Sequence, residues 1–317
     1  MLMYEQLAVD KLNNQLIIEL QKDSRQSNRR LAATLGVVED TVKRRIDHLL
    51  SSGNIQLTVL PELKRLGFPV RVFFLLDVEP AKLEQIAEKL CKISCLRFVG
   101  RCVGFARLNI RGDFESMEST VDFTANKLGK ISGINTIETR IEFEEIKKQY
   151  LSLYVTPTFN SSSVTQSKFN LSQTDTQIIL QLQRNSRAPL KEIATSVELS
   201  EATVHRRIKE LVQAGIIKFT AIPNPSMFGY GSGCAVHIQT RPNDIRTVAR
   251  QVIQYPNVAY VGITSGPNQI TATVFAPSVE ALSIFVKQEI EKNAGVVRVA
   301  AITFLEVLKQ RYSWLEA

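Results

Sequence analysis

Glu39, Asp40, Thr41, Lys43 and Arg44 crowd the polar side of one amphipathic segment, and Glu201, Thr203, His205 and Arg206 crowd the same side of another. Behind them, Val42, Ile46, Leu49 and Leu50 fall at i, i+4, i+7 and i+8, and Val204, Ile208, Leu211 and Val212 repeat the spacing. Such a helix buries one stripe and presents hydrogen-bonding groups near its N-terminal end. That equipment reads base edges in a major groove, where the fork of Arg44 or Arg206 matches guanine and Thr41 or Thr203 donates to bases or phosphates. Arg25, Arg29 and Arg30 in one copy, and Arg187 and Lys191 in the other, precede this helix where backbone phosphates would lie. Arg45 and Arg207 sit closer to the buried edge and suit a structural ion pair or a phosphate contact.

Three helices with a tight turn between the last two would position these groups. Leu12, Leu16, Ile17 and Leu20, and later Ile178, Ile179 and Leu182, step at helical spacing and supply the first helix of each set. The second runs Asn28 to Leu35, entered by Ser27 as N-cap, and Leu190 to Val197, with Pro189 near its first turn. Gly53 and Gly215 end the third helix as C-terminal glycines do. Ser200 caps the second copy of that helix; Val38 stands in its place in the first, so Asp40 is expected to cap a later start.

The two sets are one unit written twice. Ser24-Arg25 falls on Ser186-Arg187, and Glu39, Thr41, Val42, Arg44, Arg45, Ile46, Leu49, Gly53 and Ile55 fall on Glu201, Thr203, Val204, Arg206, Arg207, Ile208, Leu211, Gly215 and Ile217, always 162 positions on (186 − 24). A period that long marks a duplicated domain rather than a solenoid repeat. After Leu57–Leu60 and Phe219–Ile222, two short β-rich runs, each half gives strand, helix, two strands, helix and strand. These fall over about 70–77, 81–92, 96–101, 106–110, 114–128 and 136–143, and over 235–239, 245–254, 258–264, 270–275, 279–292 and 296–304, a βαββαβ order. The fold class is α+β: a winged-helix-like helix-turn-helix domain plus a βαββαβ ferredoxin-like domain, the pair occurring twice. The domain bounds are 1–60 and 171–222 for the DNA-binding heads, 61–155 and 223–317 for the ferredoxin-like modules, and a Ser/Thr/Asn/Gln-rich linker at 156–170.

Composition narrows the function classes. The net charge of +8 is spread along the 317 residues: 1–60 hold 8 basic and 7 acidic residues, and 171–220 hold 7 and 5. Charge placement therefore says more than the total. No stretch approaches the ~20 apolar residues that span a bilayer, and Met1 to Asp10 lack an apolar leader, so a cytoplasmic location without membrane attachment is expected. Cys91, Cys95, Cys102 and Cys234 show no metal-ligand spacing and read as buried reduced thiols. No phosphate-binding glycine loop or catalytic triad is apparent, so no cofactor, metal or catalytic residue is assigned.

The stretches SRQSNRRLAATLGVVEDTVKRRIDHLLSSGNI and SRAPLKEIATSVELSEATVHRRIKELVQAGII, each followed by a short β hinge, a Gly-aromatic pair and the βαββαβ pattern, resemble the Lrp/AsnC family of transcription regulators. The resemblance covers both halves apart from linker and termini. It implies binding to double-stranded DNA, a small-molecule effector such as an amino acid or another metabolite, and self-association through the ferredoxin-like domains. It also points to Gly104, Phe105, Gly266 and Asn268 as effector-binding residues, in the loops between the middle strands. The family's Gly-x-aromatic-Asp loop reads Gly104-Phe105-Ala106-Arg107 and Gly266-Pro267-Asn268-Gln269 here, without the Asp.

Fused siroheme decarboxylases look like the same architecture, which makes a tetrapyrrole enzyme the alternative. Such chemistry leans on His and Arg. His48 and His205 fall on the groove-reading helices, leaving His237, expected to be a satisfied structural residue. The expectation is a non-enzyme, a single-chain pseudo-dimer whose unlike helices prefer unlike half-sites.

Overall fold

The computed structural model describes residues 10–148 and 171–310; the linker expected at 156–170 lies outside them. The first half runs α1 (Lys11–Lys22), α2 (Asn28–Leu35), α3 (Glu39–Ser51), β1 (Ile55–Pro61), β2 (Val70–Val78), α4 (Leu83–Cys91), β3 (Leu96–Val103), β4 (Leu108–Phe114), α5 (Met117–Asp122) and β5 (Ile134–Lys148). The second half runs α6 (Gln173–Arg184), α7 (Leu190–Ser196), α8 (Glu201–Gln213), β6 (Ile217–Pro223), β7 (Ser232–Thr240), α9 (Ile245–Val252), β8 (Val258–Thr264), β9 (Ile270–Ala276), α10 (Val279–Phe285) and β10 (Val296–Gln310). Helices α5 and α10 each continue as a wider π-type turn, to Leu128 and Ile290. The halves sort by kind into two compact units, the chain passing from one to the other after Leu66 and after Gly229, where the expected bounds were 60 and 222.

One unit holds both helical heads. In the first, Leu16, Ile17, Leu20, Leu31, Val42, Ile46 and Leu49 close one core; Ile178, Ile179, Leu182, Ile193, Val204, Ile208 and Leu211 close the other. Leu50 and Val212 were expected on these stripes but are 40% and 42% exposed. At about 100° per residue, position i+8 lies some 80° off the centre of the stripe, at its edge. The short β runs do not fold back as a wing within each head. Instead β1 pairs antiparallel with β6, Thr58 opposite Thr220 at the centre. Val59 thereby enters the second core and Ala221 the first. Glu62 N–H donates to the Ile216 carbonyl and Asn224 N–H to that of Asn54, both at 2.8 Å, which ties off the two ends of the ribbon alike.

The other unit is a closed barrel in the order β10-β3-β4-β2-β5-β8-β9-β7. Val72, Phe74 and Leu76 of β2 pack under the helices of their own half, while Arg71, Phe73 and Leu75 point to the other face and are buried too. That double burial explains why β2 reads as a near-continuous apolar run instead of alternating. Strands β5 and β10 are 15 residues each and run past the expected ends at 143 and 304. β5 pairs with β2 up to Ile141 and with β8 from Glu142; β10 pairs with β7 up to Thr303 and with β3 from Thr303. Bulges at the equivalent residues Phe143 and Leu305 mark these crossings.

The two closing seams differ in chemistry. At β5·β8, Arg71 pairs with Asp113 at 2.8 Å, with Glu142 at 3.5 Å and with Glu145, and the Tyr260 hydroxyl donates to Glu142. At β10·β3 the equivalent positions carry Phe98 and Phe304, rings 5.5 Å apart. Cys102 and Cys234 are buried, and burial pushes both thiols up to about 12; Cys91 and Cys95 are only partly buried, against expectation, because each lies at the end of its helix or turn.

Candidate nucleic-acid interface

Helices α3 and α8 carry the polar faces. Lys43, Arg44, Glu39 and Asp40 on α3, and Glu201, His205 and Arg206 on α8, are exposed, with Thr41 and Thr203 half-buried at the start of each face. Arg206 is held at 2.8 Å by Glu210 one turn on and stays 65% exposed; Arg44 makes no ion pair among the described residues. On the preceding helices Arg29, Arg30 and Lys191 are exposed as well.

Local chemistry sets the entry to each helix. Ser27 accepts from the Arg30 N–H at 3.2 Å, and Ser200 from the Thr203 N–H at 3.2 Å while also meeting the Thr203 hydroxyl at 2.8 Å. Both serines therefore hold helix ends. Helix α3 begins at Glu39 with Val38 as an uncapped entry, so the later start capped by Asp40 does not occur. The turn before α3 contains Gly36 at φ +68°; the matching residue before α8 is Glu198 at φ +55°, where a side chain is strained.

Arg45 and Arg207 take the first of their two expected roles. Arg207 pairs with Asp175, its Nε 2.8 Å from Oδ1, and with Glu210 at 2.8 Å. Burial pushes the Asp175 carboxyl up, but the Arg207 hydrogen bond and the Ser172 backbone and hydroxyl outweigh it and hold the acid below its ordinary range. In the first head Asn13 occupies the place of Asp175, and Arg45 reaches Asn13 at 2.8 Å and also Asp10. Arg45 thus fastens α3, and Arg207 α8, to the first helix of its head.

Arg25 and Arg187 depart from expectation. Rather than facing outward for phosphate, each turns to the opposite head. Arg25 donates to the Ala188 carbonyl at 3.0 Å and lies over the Phe219 ring at 5.4 Å. Arg187 donates to the carbonyls of Ser24 at 2.8 Å and Gln26 at 3.2 Å, and to Asn28 at 3.2 Å. Burial lowers both guanidinium pKa values. The physical reason is the two-fold pairing of the heads around β1·β6, which brings orphan loop carbonyls within reach of a fork with several donors. The pair is a reciprocal clasp that fixes one head relative to the other.

In the barrel unit, Gly104 has φ +137° and lies against Ile302, and Phe105 is 46% exposed with its ring 5.7 Å from that of His237. Gly266 has φ +98° with open space beside it, and the Asn268 carbonyl accepts from Arg140 at 3.3 Å. His237 is buried, and burial, helped by the Arg140 charge, lowers its pKa to about 3. Its Nδ1 meets Thr271 at 3.2 Å, but its Nε2 has no partner among the described residues, so it is not the satisfied residue expected. Sequence reading missed Arg140 altogether; pairing the strands at the offset of 162 would have exposed it, because its counterpart is Ile302 (140 + 162). Among the described residues no group of acids, histidines and cysteines could hold a metal ion, and no helix is long and apolar enough to cross a membrane.

Residues 9–50 match an AsnC-type helix-turn-helix domain, 171–218 a winged helix-turn-helix DNA-binding domain, and 71–151 together with 233–314 an Lrp/AsnC ligand binding domain. The last alone covers more than half of the chain. An uncharacterized HTH-type transcriptional regulator of Pyrococcus furiosus is 32% identical over 134 residues, 42% of this chain and 90% of that protein. The HTH-type transcriptional regulator LrpA of Pyrococcus horikoshii is 33% identical over 135 residues, 42% of this chain and 96% of LrpA. Among solved structures, the siroheme decarboxylase NirDL has a TM-score of 0.69 at 13% identity, covering 95% of this chain and 93% of NirDL, a likeness of fold.

Proposed function

The chain belongs to the Lrp/AsnC family, and from that premise we propose that it is a sequence-specific DNA-binding transcriptional regulator working as a single-chain pseudo-dimer. The observation that carries this reading is the pair of outward polar faces on α3 and α8, set on heads that Arg25 and Arg187 clasp together. A fixed pair of groove-reading helices selects two half-sites at one spacing. Arg29, Arg30 and Lys191 supply phosphate contacts, which position without specifying. Arg44, Arg206 and their neighbours at 39–43 and 201–205 supply base contacts. Lys43 and Asp40 face the groove in one head where His205 and Ala202 face it in the other, so the half-sites differ in sequence.

The ferredoxin-like unit serves as the sensor. An effector acts there by preferring one arrangement of the heads over another, which requires unequal affinity for the two. Self-association through this unit and a cytoplasmic location complete the reading. The non-enzyme reading is supported by His237, whose pKa of about 3 makes it a poor general acid at ordinary pH. Unchanged absorbance on adding siroheme is the expected result.

Selection from a random duplex pool tests the proposal. The expected product is an asymmetric site in which Arg44→Ala relaxes one arm and Arg206→Ala the other. A perfectly symmetric site, with both variants relaxing both arms alike, overturns the unlike-half-site reading.

A further inference from the structure

The duplication continues into the barrel, where the strand register preserves the offset of 162. Leu75 pairs with Asn109 as His237 pairs with Thr271, and Cys102 faces Phe304 as Thr264 faces Glu142. The register makes Leu75, Cys102, Ala106 and Ile302 the counterparts of His237, Thr264, Asn268 and Arg140. With Ala235, the first four close a small buried apolar cluster. Their counterparts form a hydrogen-bonded chain instead. Arg140 Nη1 donates to the Asn268 carbonyl at 3.3 Å, Thr264 lies 3.4 Å from that carbonyl and 3.2 Å from Thr271, and Thr271 lies 3.2 Å from His237 Nδ1.

In the other copy Leu75, Cys102, Ala106 and Ile302 fill the space, with Asn109 standing where Thr271 does. The polar set buries an arginine and a histidine, each 1% exposed, and leaves Arg140 Nε and His237 Nε2 without hydrogen-bond partners among the described residues. Unpaired buried polar atoms are costly, and a bound group that pairs them recovers the loss. With Thr264 donating to Thr271 and Thr271 to Nδ1, the 3.4 Å contact of Thr264 with the Asn268 carbonyl carrying no proton, Nε2 is protonated and both orphan atoms are donors that call for an acceptor. Arg140 adds a positive charge and holds Glu138 at 2.6 Å, and among the described residues no other acid is paired with the cluster to receive an ammonium group. Phe105, half exposed, packs on the His237 ring at the edge of the cluster.

We propose that Arg140 and His237, with Thr264, Thr271 and the 265–269 loop, form a binding site for one small carboxylate lacking an α-ammonium group, and that the equivalent site in the other half is plugged by Ile302, Leu75, Cys102 and Ala106. The proposal rests on the regulator reading only for its consequence, that such a carboxylate is the effector.

Isothermal titration of the full chain with pyruvate, lactate and L-alanine at millimolar concentration tests it. Pyruvate or lactate binds with one site per chain, on the order of tenfold or more tighter than alanine, and Arg140→Ile loses on the order of tenfold or more in affinity. Arg140→Lys keeps a charge but not the fork, and also weakens binding while circular dichroism stays unchanged; it serves if the isoleucine variant does not fold. Two sites per chain, equal affinity for alanine, no binding of either acid, or binding indifferent to both Arg140 variants overturns the proposal. Mobility shifts without added acid separate the two readings. DNA binding with no carboxylate binding sinks this inference alone, whereas carboxylate binding with no DNA binding sinks the regulator reading.

Discussion

Replacing His237 by leucine, the residue that fills the matching position at Leu75, should flatten the acid side of the stability profile. The buried imidazole has a pKa of about 3, against 6.5 for a free histidine, because burial and the Arg140 charge both oppose its protonation. Between these two values the unfolded chain takes up a proton that the folded chain refuses. Stability therefore rises with pH through this window and falls as pH drops below 6.5. From pH 7 to pH 5 the difference amounts to about 2 kcal/mol, because the unfolded histidine is almost fully protonated at pH 5 while the folded one is not. Urea unfolding of the wild type and His237→Leu at pH 7, 6 and 5, followed by a probe in the barrel unit, measures it. The variant should lose about 2 kcal/mol less than the wild type over that interval. Parallel losses in the two proteins would refute the claim that His237 is folded in its neutral, desolvated form.

Other outcomes follow from the same geometry. Glu198→Gly, which copies Gly36, should stabilise the second head by about 1 kcal/mol, seen as a higher urea midpoint, because it relieves a left-handed backbone. Asp175→Asn, which copies Asn13, should cost about 2 kcal/mol at pH 7 by weakening the hold on Arg207. Since that carboxyl titrates below its ordinary 3.8, its contribution is intact above pH 4 and is lost as pH falls through the depressed value, so variant and wild type converge in strong acid. Arg71→Met should cost about 3–5 kcal/mol by removing the buried cation that balances Asp113 and Glu142, measured by thermal or urea unfolding.

The heads were legible because their signals are local. Ser27 before α2 and Gly36 after it bracket a helix whose bounds, Asn28–Leu35, can be read directly, and the stripe of Val42, Ile46 and Leu49 needs only helical spacing. The βαββαβ order was legible for the same reason. What escaped depends on partners far along the chain. Arg25 carries the same sequence context whether its fork meets a phosphate or the Ala188 carbonyl, and only the pairing of β1 with β6 decides between them. The ends of β5 and β10 were cut short because Phe143 and Leu305, bulged outward, break the alternation that marks a strand. Arg140 and His237 lie nearly a hundred positions apart, and periodicity could not show that the barrel brings them into one cluster.

On the regulator reading, α3 and α8 enter DNA grooves while exposed cations hold the backbone. A mobility-shift titration of the full chain on its selected duplex, at stepped salt concentrations, tests it most directly. Arg29, Arg30 and Lys191 are the exposed cations assigned to the backbone, so the logarithm of affinity should fall with the logarithm of salt at a slope of about −3. Arg44→Ala with Arg206→Ala should abolish the preference for that duplex over competitor. Binding that ignores salt, or no preference for any duplex even at low salt, would contradict the account.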